Sequence, residues 1–332
     1  MMHIIREATQ DDNDALIDLE RQSPLDLGDR LLTFDRTPNF FAHQEMEEHG
    51  RVVVAEDEGR LVGVVAGAWY DVLVEGQRRR LLYIHQGRIL PDYRRRRVAT
   101  DLVIQHLILA LDAKIDSPYW LISPDNKTSL AFGQQGGMEF WPLDGRRDSF
   151  DVNARRRAGN RVDTLGPRDL PRVLELINRT HAGREMFLPY DTDRLQKRLS
   201  LSPTYGWQRW RGYRSEKKLL AVAGVWDFGR SLRTTERDKA TGRESVSLPA
   251  FVLDYGCAAG AEEAMVEVFM ALMEMAAESE RNELSIALPT ESRLYSLMAG
   301  LPHSTTLFRI LTPGIPTPRE VRGSVYLDPV YV

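Results

Sequence analysis

The chain opens on alternating and then helical spacing of its apolar positions. HIIREA at residues 3–8 has the look of a short strand, and TQDD after it is a polar turn. From Asp11 the apolar set Ala15, Leu16 and Leu19 predicts an amphipathic helix, with Asp11 or Asp12 as its cap. Two β-rich runs, RVVVA and RLVGVVAGAWYDV, flank the polar stretch Glu56 to Arg60 and predict a hairpin. A second turn is expected at Glu75-Gly76-Gln77, followed by the strand LLYIHQGRIL. VATDLVIQHLILALDAK carries Val98, Leu102, Val103, His106, Leu107 and Ala110 at helical spacing. PYWLIS, NKTSLAFGQQG and MEFWPL then predict strand, short helix and strand, giving the order β-α-β-β-β-α-β-α-β.

Asp144 to Asn160 is polar and arginine-rich, and reads as a terminal hairpin or a linker that holds a domain boundary. Beyond it the same order of elements returns. RVDTLGPRD parallels IIREATQDD, LPRVLELINRT is an amphipathic helix, and KLLAVAGVWDFG parallels RLVGVVAGAWYD. Ser231 to Ser247 reads as a polar, mobile loop. AFVLDYG, EEAMVEVFMALMEMAAE, ELSIALP and SRLYSLMAGL supply the remaining elements. The expectation is an α/β (α+β) chain of two tandem copies of one unit, 1–150 and 160–332, each a mixed, mostly antiparallel sheet flanked by helices.

Composition narrows the function. With 332 residues, 42% hydrophobic and 28% charged, the chain has enough apolar side chains for two cores. Its formal net charge of −4 argues against a protein-wide attraction to nucleic acid or to membranes, so any basic role is local. Cys257 is the only cysteine, which excludes an intrachain disulfide and a Cys-rich zinc site, and no metal is called for. No apolar run is long enough to span a bilayer, and a cytoplasmic location is expected.

The local basic feature is Arg94 to Arg97, between the strand ending at Leu90-Pro91 and the helix beginning near Val98. A strand that feeds a helix leaves about four amides unpaired at the helix start, and these together with the helix dipole bind phosphate. Small residues at Ala99 and Thr100 allow close approach. The alternative is that the arginines simply project into water.

Residues 3–141 resemble the GNAT superfamily of N-acetyltransferases, whose acetyl-CoA site carries Gln/Arg-x-x-Gly-x-Gly/Ala after the fourth strand. Here the motif runs Arg94, Arg95, Arg96, Arg97, Val98, Ala99, with Arg97 where the family has its first glycine. A positive φ at Arg97 would cost strain, and a helical backbone is expected instead, because the family's loops bind pyrophosphate with successive helix-start amides. The resemblance implies that the backbone of Ile89 and Leu90 faces the pantetheine arm and that amides from Arg95 to Thr100 hold the pyrophosphate. It extends to N-x-x-S-x-x-F-G, so that Asn126 lies along the arm and Phe132 packs inward. Gly133 falls where many members have the tyrosine that protonates the departing thiolate.

For the amine's proton the strand LLYIHQGRIL offers Tyr83, His85 and Gln86, of which His85 titrates nearest neutrality. A strand histidine without chemistry is the competing reading, and strand alternation puts His85 and Gln86 on opposite faces. The second unit has DYGCAAGAEEAM at the matching turn, where Glu262 and Glu263 would satisfy the helix-start amides and repel phosphate. Met265, Met270, Met273 and Met275 read as packing, and Cys257 as a buried small residue. YGWQRWRGY, with Tyr205, Trp207, Trp210 and Tyr213, reads as packing or as a wall of the acceptor pocket.

The expected activity is direct transfer of an acetyl group from acetyl-CoA to a primary amine on a small-molecule or peptide acceptor, with neither nucleic acid nor membrane as partner. The alternative is a non-catalytic CoA-binding regulatory protein. The sequence names neither the acceptor nor the oligomeric state.

Overall fold

The computed structural model describes residues 3–318 and 325–331. The first half runs β1 (Ile4–Glu7), α1 (Asn13–Gln22), β2 (Leu25–Asp26), β3 (Arg30–Asp35), β4 (Gly50–Asp57), β5 (Arg60–Val74), β6 (Gln77–Ile89), α2 (Val98–Leu109), β7 (Ser117–Ile122), α3 (Lys127–Gln135) and β8 (Glu139–Asp151). The second half runs β9 (Val162–Thr164), α4 (Leu170–His181), α5 (Thr192–Ser200), β10 (Trp210–Ser215), β11 (Lys218–Trp226), β12 (Arg233–Asp238), β13 (Glu244–Ser247), β14 (Pro249–Cys257), α6 (Glu262–Glu278), β15 (Glu283–Ile286), α7 (Arg293–Met298) and β16 (His303–Thr312).

One 12-stranded sheet carries both halves in the order β1-β4-β5-β6-β7-β16-β8-β15-β14-β11-β10-β9. Read from either edge, a run of five strands from one half leads to the centre. There the last strands have changed sides: β16 pairs with β7, and β8 pairs with β15. The two meet each other along most of their length, from His303↔Phe150 to Thr312↔Glu139. Thr305 Oγ1 donates to the fully buried Asp148 at 2.7 Å across this junction. The parallel pairs are β6 with β7 and β14 with β15, one in each half.

The pattern of β4 and β5 explains their place. Val52 to Ala55 and Val62 to Ala66 are continuous apolar runs, almost wholly buried, with α1 and α2 packed over them. The Glu75-Gly76 turn is tight because both residues take positive φ, 51° and 72°. In the second half α6 buries Met265, Met270, Met273 and Met275, which are core residues as the spacing predicts.

Two expectations are corrected, and one stretch without a predicted element takes shape. Ser231 to Ser247 is largely a hairpin, β12 and β13, which pairs with β3 from Arg233↔Asp35 to Asp238↔Arg30. The strand partner of this polar stretch lies 200 residues away, so local composition hides it. Residues 25–35 likewise form β2 and β3 of that 4-stranded sheet. Asp144 to Asp151 is no linker: it continues β8 without a break, and its polar side chains pair across β16 and β15. Residues 319–324 and 332 of the second expected unit lie outside the described residues. Among the described residues no helix is long and apolar enough to cross a membrane.

Candidate functional site: an arginine turn and a strand divergence

β6 ends at Ile89, Pro91–Tyr93 make one tight turn, and α2 starts at Val98. The four arginines between them are exposed. Arg95 stands at φ 61° and Arg97 at φ 64°, both left-handed. This corrects the helical backbone expected at Arg97: the position has the conformation that suits glycine, and arginine occupies it under strain. Tyr93 anchors the turn, donating to Asp57 at 2.8 Å, and the Arg96 guanidinium lies 5.2 Å from the Tyr93 ring centre. Val98 is buried against β5, where a Cβ on Gly63 would come within 2.9 Å of it. Glycine at 63 therefore lets the helix start lie close on the sheet. No side chain of Arg97 caps α2, so the amides from Val98 to Thr100 present a helix N-terminus beside four cationic groups.

β6 and β7 are paired only at Leu81↔Ser117, Leu82↔Pro118 and Tyr83↔Tyr119. Beyond Tyr83 the register with β7 ends, while β7 stays paired to β16 through Ile122. A bulge accompanies the departure: Val64 faces Arg88 and Ala66 faces His85, so Gln86 and Gly87 together oppose Val65. Gln86 takes φ 52°. The Val65 carbonyl accepts from His106 Nε2 of α2 at 2.9 Å. Burial holds the His106 pKa down at about 4, so the ring is neutral. Gly67 makes room for that ring, since a Cβ there would sit 2.9 Å from His106 Nδ1.

The bulge overturns strict alternation. His85 and Gln86 both meet His43: the two imidazole centres are 5.0 Å apart, and the Gln86 amide is 3.1 Å from His43 Nδ1. The amide of Leu90 is spent on the Val62 carbonyl at 3.0 Å, a correction to its expected role. Strand alternation turns the Ile89 backbone the other way, toward the divergence. Asn126 caps α3, accepting from Ser129 N at 3.1 Å, and Phe132 is half-buried. Gly133 faces the sheet, where a Cβ would come within 2.7 Å of Leu311 Cδ2. A tyrosine there would have to displace Leu311.

Tyr83 and His85 stack at 4.7 Å between centres, buried at the point of divergence. The sequence reading missed what they meet. Glu47, wholly buried, places Oε1 2.8 Å from His85 Nε2 and 3.9 Å from His43 Nε2. The first distance is that of a hydrogen bond but the alignment is not: both Glu47 oxygens and both His85 ring nitrogens lack a hydrogen-bond partner. Burial pushes Glu47 up to about 7, His85 down to about 3 and His43 down to about 4. Burial also raises Tyr83 well above the usual tyrosine range, with Glu47 adding to it. Arg36 and Glu20 form a buried pair beside this cluster, at 2.8 Å. The only sequence signal for the cluster is the histidine- and glutamate-rich AHQEMEEH at residues 42–49.

At the matching turn of the second half α6 starts at Glu262, with Glu262 and Glu263 in its first turn. Burial pushes the Cys257 thiol up to about 11, which suits a packed side chain and not a nucleophile. Tyr205 and Trp210 are fully buried, and Tyr205 donates to Asp254 at 2.5 Å, so this part of the aromatic stretch is packing.

No curated protein matches the sequence. Residues 5–116 match the family described as acetyltransferase (GNAT) domain. A crystal structure of Saccharomyces cerevisiae N-myristoyltransferase with bound myristoyl-CoA aligns over 96% of this chain and 85% of that chain, with TM-score 0.67 and 10% identity. A second structure of that enzyme with bound myristoyl-CoA aligns over 96% and 80%, with TM-score 0.68 and 10% identity. These two likenesses concern the fold of the whole chain, whereas the sequence match is confined to the part that bears the arginine turn and the diverging strand. Residues 5–116 thus resemble the GNAT acetyltransferase domain in sequence, and the whole chain shares its fold with these two structures.

Proposed function

We propose that the protein is an N-acyltransferase that moves an acetyl group from acetyl-CoA directly to a primary amine. The observation that carries this reading is the arginine turn at the start of α2, beside a strand that departs from its neighbour. The amides from Arg95 to Thr100, with Arg94 to Arg97 around them, hold the pyrophosphate, and the Ile89 backbone lines the pantetheine arm, which runs past Asn126 and Phe132. In the step itself the amine nitrogen attacks the thioester carbonyl, the C–N bond forms, and the C–S bond breaks. The amine proton passes to His85, with Tyr83 stacked beside it, and the thiolate leaves as CoA, taking its proton from water.

Residues 160–332 are read as a second copy of the same unit that has lost its cofactor and shapes the acceptor side. The mirrored strand order and the acidic start of α6 support this. The neighbours that bind myristoyl-CoA make longer acyl groups the first alternative donors to try.

The test is release of free CoA thiol from acetyl-CoA, then from longer acyl-CoAs, against a panel of small amines and peptides. His85→Ala should lower kcat about 10²-fold or more with little change in acyl-CoA affinity. Acyl-CoA binding with no release across all donors and acceptors would instead favour a CoA-binding regulator.

A further inference from the structure

Both oxygens of Glu47 and both ring nitrogens of His85 are buried without a hydrogen-bond partner, four such atoms in one place. Buried polar atoms are nearly always paired, and a carboxylate left alone in a dry site is costly. The third member of the cluster, His43, has its orientation fixed from outside. Both terminal nitrogens of Arg36 lie 2.9 and 3.1 Å from the Gln86 side-chain amide. A guanidinium only donates, so the Gln86 oxygen must face it. That same oxygen stands 3.1 Å from His43 Nδ1, which therefore carries the hydrogen. In the neutral ring the lone pair is then on Nε2, and Nε2 lies against the Val330 carbonyl oxygen. Two acceptors face each other, with the Glu47 carboxylate and His85 Nε2 beside them. The positive charge of Arg36 is already met by Glu20.

We propose that His43, Glu47 and His85, joined by the Val330 carbonyl, bind one divalent transition-metal ion of the zinc class. Two imidazoles and a carboxylate are the donor set that such ions prefer. Their donor atoms all lie within 4.8 Å of one another. Ligands about 2.0–2.1 Å from a tetrahedral zinc stand roughly 3.3 Å apart, so small side-chain shifts close the site. Gln86 is the outer partner that holds the His43 ring, itself held by Arg36. His43 and Glu47 come from the segment before β4, His85 from the bulged strand, and Val330 from near the other end of the chain, which is why no metal motif is visible in the sequence.

The consequence rests on the acyltransferase reading: an ion on His85 Nε2 keeps that ring from taking the amine's proton, so zinc inhibits transfer. Binding itself does not depend on that reading. The full-length protein, stripped with a chelator, is titrated with Zn²⁺ by calorimetry and with Co²⁺ by visible absorption. One Zn²⁺ per chain and Co²⁺ d–d bands are expected. Glu47→Gln, which keeps the side-chain volume, should weaken Zn²⁺ at least 10²-fold, and His43→Asn should do the same if the glutamine variant fails to fold. Absence of stoichiometric Zn²⁺ binding in the wild type, or equal binding in a folded variant, overturns the site. Inhibition by Zn²⁺ that EDTA reverses supports its placement on His85, and stoichiometric binding without inhibition overturns that placement. An enzyme inactive with every donor contradicts the transferase reading and leaves the binding result to decide the site.

Discussion

The amide of Asp101 donates to the Arg97 carbonyl at 3.0 Å, so Arg97 closes the first turn of α2 while its own backbone stands at φ 64°. The residue is held in a glycine conformation because the helix start is fixed on both sides, by Val98 against β5 and by the Tyr93 anchor on Asp57. Arg97→Gly should leave stability within about 1 kcal/mol of the wild type, relief of strain offsetting the added freedom of the unfolded chain. Acyl-CoA affinity should fall by no more than roughly tenfold, because the backbone amides and three of the four arginines remain. Urea denaturation and calorimetry of the variant check both, and a large loss of affinity would mean that the Arg97 side chain itself grips the cofactor.

His106 is the internal support of the bulge. Removing its ring by His106→Ala leaves the Val65 carbonyl unpaired in a buried place, at a cost of about 1–3 kcal/mol. The midpoint of urea unfolding should fall accordingly. No change would show that the bulge holds itself.

Much of this was readable from the residues. Apart from β2 and β3, the order of elements through β8, the hairpin at Glu75-Gly76 and the helix start at Val98 follow from period and punctuation, because they are local. What was not readable depends on partners far away. The β12–β13 hairpin is a strand pair only because β3 offers it an edge. The left-handed Arg97 is imposed by packing around it, against the preference of arginine. His43 and Glu47 sit in a short polar segment with no periodic signal, and reach His85 only because the bulge at Gln86 turns two successive side chains to one side. Glu47 and His43 mattered more than the neighbouring Gln86 alone could suggest.

The exchange of β8 and β16 makes the halves interdependent. A fragment ending at residue 160 contains β8 without either neighbour, β16 or β15, and exposes the edge of β7 as well. It should not fold by itself, and the whole chain should melt in one calorimetric transition. A fragment with native-like circular dichroism and a sharp melt of its own would contradict this.

A second buried network ties the segment after residue 324 into the second half. Arg198 donates to Asp254 at 2.9 Å and to both oxygens of Asp328 at 2.7 and 2.8 Å, while Tyr190 donates to Asp254 at 2.8 Å. Arg198→Met removes the cation and leaves two buried carboxylates, which should cost about 3–5 kcal/mol. Chemical denaturation measures it, and a loss below 1 kcal/mol would mean that the carboxylates find protons or water at little cost.

The proposed activity depends on the arginine turn as the cofactor site. Titration of acetyl-CoA into the full-length protein by calorimetry, repeated on Ala99→Glu, is the most direct measurement. One site per chain is expected in the wild type, because Glu262 and Glu263 bar the second turn. In Ala99→Glu, with the fold intact, the affinity should fall at least 10²-fold, since a bulky anion then stands where the phosphates dock. Equal affinity in the variant, or no binding by the wild type, would contradict the account.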